Sequence, residues 1–331
     1  MYYLFSCISG SLEIGIVYGG IMKGYPLWQV LIFGLAYQIG NLVPIPYAFH
    51  QKARRISIVI LTVLWWIRCA SSAETVSWLC LVGIITILSG LIQSIRADLP
   101  FLGEKWKKRF FRVVGFGTAV CYALNMEVCV VIISVIMVLT ELFRDNIVKQ
   151  ARPIVLNNIC INRTMLFHQM HYFVYAYAMI SLACNLASHS MFSIVFFVFS
   201  WLTYLMTEPI LRHFGHGKWF WYLVTGHMML AILLLLAALA AIQESGWLFL
   251  LWVLSGFGGG TVFCIKLVEE GKVRKDSEVN WTLSENLGHI SGCLFACVWT
   301  AFGMETALLP VIGTCFAMLT IISAFMGRKA K

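Results

Sequence analysis

Long apolar runs alternate with short polar breaks along this chain. The runs lie near 3–22, 27–48, 56–72, 75–95, 110–126, 128–143, 165–187, 190–209, 219–242, 246–267, 284–303 and 305–326. Roughly 17 to 25 apolar residues are what a helix needs to cross a hydrocarbon core of about 30 Å, so the pattern predicts about twelve transmembrane helices. Residues 110–143 have one alternative reading. A single helix there would be about 51 Å long at ~1.5 Å per residue, too long for one crossing. A hairpin turning near Asn125 and Glu127 is expected instead.

Composition agrees with that class. The chain has 331 residues, of which 60% are hydrophobic and 12% charged, and its mean hydropathy is +0.84. Soluble chains carry about 25% charged residues, and a soluble protein of this length has no way to hide so much apolar surface. The first residues, MYYLFSCISGSLEIGIVYGGIM, have no basic leader and no small-residue cleavage site, and are read as a first span. The 11 cysteines are scattered singly. They make no CxxC or Cys/His grouping, so apolar packing is expected rather than a disulfide framework or a structural zinc site.

The net charge of +9 changes the picture through its distribution. With a cytoplasmic N-terminus, the inner loops are HQKARR (50–55), 96–112, 143–164, LRHFGHGK (211–218), 265–278 and the tail GRKAK. They hold nearly every Lys and Arg, and only Lys23 and Arg68 fall in or near outer turns. That bias places both termini in the cytoplasm and the chain in the cell's cytoplasmic (inner) membrane, with anionic lipid as neighbour. A single span at 110–143 would break it. Nucleic acid is not an expected partner, because no basic, aromatic-studded soluble domain is present. Asn162 and Asn280 begin glycosylation patterns, but both fall in predicted cytoplasmic loops and are expected unmodified.

The longest loop lies near the middle of the chain. The expected organisation is a six-helix half over 1–143, a cytoplasmic loop over 144–164 and a second six-helix half over 165–331. Two halves related by duplication are the plan of many secondary transporters. EPILRHFGHGKWFW (208–221) resembles the short basic loop Gly-x-x-x-Asp-Arg-x-Gly-Arg-Lys of the major facilitator superfamily. Gly215 and Lys218 correspond, while Arg212 stands where that family has Asp and Glu208 where it has the leading Gly. The first-half loop YAFHQKARRISI (47–58) keeps only the basic character. The resemblance implies an all-α membrane protein of two pseudo-symmetric halves.

Charge inside a membrane costs about 2.5–3.5 kcal/mol at mid-helix and marks function by default. Glu13, midway along the first span, is the expected proton-coupling carboxyl; packing as a protonated hydrogen-bond donor is its other reading. In MLFHQMHYFVYAY, His168, His171, Tyr172 and Tyr175 follow i, i+3, i+4, i+7 and share one helix face. The resemblance makes this span the duplicate of the first, which would set the stripe across from Glu13 along a central cavity. Interfacial anchoring is the alternative, mainly for His168. Gln38, Asn41 and Gln93 are expected to add polar contacts to substrate. PIP (44–46) is a place to kink the second span, and SGFGGG (255–260) a place for the tenth to bend or pack tightly. Ser284, Glu285, Asn286 and His289 are read mainly as a helix cap. By resemblance His227, Met228 and Met229 face lipid or packing partners. With Met165, His168, Met170 and His171 they also raise a soft-metal idea, but Met at helical spacing is usually filler, so no metal site is assigned.

The expected function is secondary active transport, by proton-coupled alternating access, of a small amphiphilic or aromatic organic solute. Protons, substrate and membrane lipid are the expected partners, with a monomeric chain, no cofactor and no enzymatic activity. The chain carries no P-loop. Two rivals stand beside this. One is an integral membrane enzyme acting on a lipid-like substrate, with His168, His171 and Glu285 as its polar centre. The other is a transition-metal (copper) importer.

Overall fold

A computed structural model of the chain describes residues 2–42, 50–98, 110–116, 161–186, 191–214, 217–270, 281–304 and 308–329. Among these, every regular element is helical. The helices are α1 (Tyr2–Met22), α2 (Leu27–Leu42), α3 (His50–Ala70), α4 (Glu74–Asp98), α5 (Arg163–Leu186) and α6 (Met191–Phe214), then α7 (Trp219–Ile242), α8 (Trp247–Gly260), α9 (Phe263–Glu270), α10 (Trp281–Ala301) and α11 (Leu308–Lys329). Residues 110–116 add a further helical segment. The turn near Asn125 and Glu127, the PIP stretch, most of the 144–164 loop and Asn280 lie outside the described residues, as do the side chains of Glu13, Gln93 and Tyr172.

Local chemistry sets the helix ends. At the end of α1, Tyr25 N–H donates to the Gly20 carbonyl at 3.1 Å and Gly24 N–H to Ile21 at 2.9 Å, with Gly24 at φ +77°. This is the left-handed glycine stop, and Pro26 then seeds α2. The same pair of bonds closes α7, from Ser245 to Ala240 and from Glu244 to Ala241, but there the left-handed position is held by Glu244 at φ 50°. Asn162 caps α5: its Oδ1 accepts from Met165 N–H at 2.8 Å, while its own N–H donates to Ser284 Oγ at 3.0 Å.

Cα packing divides the chain into Met1–Val155 and Leu156–Lys331. In the first unit α4 packs on α2, α3 and α1. Phe33, Tyr37, Leu61, Leu81, Ile84 and Leu88 fill the seam. Gly40 of α2 lies so close to Thr86 and Ser89 of α4 that a methyl group there would collide with both. Arg68, at the far end of α3, is buried; its guanidinium donates to Ser77 Oγ at 3.3 Å and lies over the Trp65 ring.

In the second unit α5 packs on α10 and α11, α8 on α6 and α7, and α11 also on α7. Glycines again permit close approach. Gly288 and Gly292 press α10 onto α5, and Gly256 and Gly260 press α8 onto α6. SGFGGG thus packs tightly, and the helix also breaks directly after it. The bonds Thr261→Gly258, Val262→Gly259, Cys264→Thr261 and Ile265→Val262 form a tight i→i−3 turn between α8 and α9. One boundary differs from expectation. The span was expected over 190–209 with a loop over 211–218, but α6 runs through Pro209 to Phe214, and the Glu208–Arg212 ion pair at 3.1 Å spans one helical turn. Pro at 209 removes one backbone donor without ending a helix whose neighbours hold it.

Exposure identifies the solvent. On α7, Leu223, Gly226, His227, Leu230 and Leu234 are buried, while the outward positions Met229, Ile232, Leu236, Leu239 and Ile242 are as apolar as the inward ones. A helix that is hydrophobic all round, with its outer face uncovered, belongs in acyl chains. Four stretches among the described residues are long and apolar enough to cross a membrane: Glu74–Leu91, Ser193–Phe214, Trp219–Ile242 and Trp247–Val268; Leu27–Leu42 and Val311–Gly327 are shorter apolar helices. The chain is a multi-pass helical membrane protein.

Candidate functional site

Helix geometry stacks residues three apart on one face, so α5 presents His168 and His171 one above the other. The neighbouring helix α7 presents His227 to them. His168 Nδ1 lies 2.9 Å from His227 Nε2 and 3.0 Å from His171 Nε2. The ring pairs are edge-on, with centroids 4.5, 5.1 and 5.5 Å apart, and all three residues are 0% exposed.

The protons can be placed by elimination. His227 Nδ1 is 2.9 Å from the Leu223 carbonyl, which only accepts, so Nδ1 carries the hydrogen and Nε2 of the neutral ring carries a lone pair. The hydrogen between His227 and His168 therefore sits on His168 Nδ1. His171 Nε2, facing that same hydrogen, is then an acceptor as well. Three nitrogens converge on one proton. The outer nitrogens, His168 Nε2 and His171 Nδ1, are buried with no hydrogen-bond partner among the described residues. Orphaned buried polar groups cost about 1–3 kcal/mol each, which is more than ring packing alone requires of a core.

The site sits at the helix break. Thr261 Oγ1, in the turn between α8 and α9, donates to the Gly258 carbonyl at 2.7 Å and lies 3.3 Å from His227 Nδ1, accepting from it beside Leu223. Gly226, next to His227, leaves room for the Thr261 side chain.

The predicted ridge on α5 is thus divided in direction. His168 and His171 turn to α7, whereas Tyr175 turns to α6, where its hydroxyl lies 3.1 Å from Ser200 Oγ. Gln169, between the histidines, bonds His289 of α10 through its Oε1. Gln38 is buried and Asn41 half-buried on α2 of the first unit. Glu285, placed with the histidines in the enzyme reading, instead holds Lys266 Nζ at 2.8 Å. Thr261 was absent from the sequence reading, and His227 entered it as a lipid or packing residue and as part of a soft-metal idea that was set aside. No one-dimensional spacing announces a partner fifty-six residues further along.

Among His, Cys, Asp and Glu of the described residues, His168, His171 and His227 make the group with metal-holding geometry, their ligand atoms all within 4.8 Å of one another. No family model matches the chain, and no curated protein matches its sequence. The fold is similar to a solved structure described as that of a bacterial metal transporter, with TM-score 0.61 and 11% sequence identity over 98% of this chain and 97% of that one.

Proposed function

We propose that this chain is a secondary transporter working by alternating access in the cytoplasmic membrane. The observation that carries the reading is the end-to-end likeness of fold to a solved transporter, 98% of one chain on 97% of the other. Two features support it. Titratable side chains are buried between apolar helices, where they are costly unless used. A membrane helix is broken beside them, as in many transporter binding sites. The arrangement we favour is the major facilitator one, with about twelve spans, both termini in the cytoplasm and a monomeric chain.

Proton coupling through Glu13 belongs to the proposal, because it is the acid of the first span. For cargo, a small amphiphilic or aromatic organic solute is one reading. A metal ion is the second, favoured by the convergence of His168 and His171 on His227. An enzyme is not proposed, since the carboxylate it would use, Glu285, is engaged with Lys266.

Proteoliposomes holding the full chain test this. Under an imposed pH gradient they are expected to accumulate Zn²⁺ or a member of a panel of small aromatic amines. Glu13→Gln is expected to stop accumulation while the variant still elutes as a folded protein. Equal uptake by that variant removes Glu13 from the mechanism. Uptake no higher than in protein-free vesicles, for every probe, removes the transporter.

A further inference from the structure

We propose that His168, His171 and His227 bind one late first-row transition ion, such as Zn²⁺, Co²⁺, Ni²⁺ or Cu²⁺, through Nδ1 of His168 and Nε2 of the other two. Binding stands on the geometry of the second unit alone. Only the further statement that the ion is cargo rests on the transporter reading above.

Distance comes first. Bonds of about 2.0–2.1 Å in a tetrahedron hold donor nitrogens about 3.4 Å apart. The observed separations from His168 Nδ1 are 2.9 and 3.0 Å. Those two separations open by a few tenths of an ångström to admit an ion, and all three ligand atoms lie within 4.8 Å of one another, a spread that side-chain rotation closes. Two ligands one turn apart on α5 and a third on the adjacent α7 make a wall that keeps its shape.

Lone-pair direction comes second. Two of the three converging nitrogens already carry lone pairs aimed at the third. Only His168 changes, its hydrogen moving from Nδ1 to Nε2 as the ion enters, so a neutral cluster takes up the ion with no net loss of a proton. His227 is oriented as metal-ligating histidines are, with its far N–H given to a backbone carbonyl. Donor type comes third. Imidazole nitrogen suits Zn, Cu, Fe and Ni, whereas Mg²⁺ and Ca²⁺ require oxygen.

Among the described residues, three protein ligands leave the fourth position open. Thr261 does not fill it, because its hydroxyl is committed to Gly258 and His227. Closed four-ligand sets belong to structural sites, and an open position belongs to sites where a ligand exchanges. An ion that must be released on the far side of a membrane requires the second kind.

The test uses the full-length chain, purified in detergent on a tag without histidine, stripped with a chelator and titrated with Co²⁺. The expected result is one ion per chain with the intense visible absorption of four-coordinate nitrogen-bound Co²⁺, displaced by Zn²⁺ and untouched by millimolar Mg²⁺. His227→Ala and His168→Ala are expected to weaken binding at least 100-fold, and His213→Ala, at an exposed histidine, to leave it unchanged. A wild-type chain that gives only the weak octahedral spectrum overturns the site without reference to any variant. Wild-type affinity in His227→Ala also overturns it. A Zn²⁺ uptake arm separates the two readings. Stoichiometric binding without uptake supports the site and removes the ion as cargo. Uptake that survives His227→Ala removes the ion of this site as cargo and leaves the transporter standing.

Discussion

Thr261 Oγ1 lies 3.3 Å from Nδ1 of His227, at the point where α8 ends and the next turn begins. The hydroxyl receives from the imidazole and gives to Gly258, so the helix break and the ring orientation are one hydrogen-bonded unit. Thr261→Val keeps the shape and removes both bonds. Leu223 still holds the ring, so the expected loss is about 1 kcal/mol of stability, with Co²⁺ affinity about tenfold weaker. The absorption of the bound ion should persist. Thermal unfolding and Co²⁺ titration of the same preparation read both, and wild-type affinity in this variant would deny Thr261 any part in orienting His227.

The end of α7 carries a removable strain. Glu244 occupies the left-handed position at φ 50°, where Gly24 serves at the end of α1. An L-residue there costs about 1–2 kcal/mol. The Glu244 side chain is exposed and stands in no described ion pair. Glu244→Gly should therefore raise stability by about 1 kcal/mol, less what glycine adds to unfolded-chain entropy. The measurement is the unfolding midpoint in detergent, and a lower midpoint contradicts the assignment of strain.

Gly226 is kept small by its neighbour. A Cβ there would lie 2.6 Å from Thr261 Oγ1 and 2.9 Å from Thr261 Cβ. Gly226→Ala should cost about 1–3 kcal/mol by overpacking. Cutting Thr261 back to Ala removes the nearest atoms but leaves its Cβ, so the cost should shrink without vanishing. A double-mutant cycle measures that coupling. Additive costs would show that the alanine clashes elsewhere.

Much of the architecture was legible because hydrocarbon is a demanding solvent. Backbone groups must bond within the segment, so apolar runs of sufficient length become helices, as Trp219–Ile242 does at the bounds its hydropathy sets. Glycine runs also spoke, since Gly256 and Gly260 are where helices meet. What one dimension obscured was direction. The i, i+3, i+4 rule put His168, His171 and Tyr175 on one face, but a face is wide enough to serve two neighbours. The imidazoles took α7 and the phenol took α6. The end of the span expected over 190–209 differed in the other sense. The basic stretch 211–218 reads as loop, yet inside a bundle the carbonyl freed by Pro209 is tolerated and α6 runs on to Phe214.

Glu285 separates the binding reading from the enzymatic one. Its carboxylate sits 2.8 Å from Lys266 Nζ, with the two side chains 32% and 41% exposed. At that exposure an ion pair contributes less than about 1 kcal/mol, so Glu285→Gln should scarcely move the unfolding midpoint. It should also leave Co²⁺ binding intact, because neither partner belongs to the imidazole group. A membrane hydrolase using His168 and His171 would need this acid to orient or charge a ring, and its loss would then change the cluster. The decisive measurement is the Co²⁺ spectrum of Glu285→Gln beside that of Lys266→Gln. Unaltered bands in both keep the three histidines as a self-sufficient ligand set, whereas a shifted band in Glu285→Gln alone would make the carboxylate a member of the site and restore the enzyme reading.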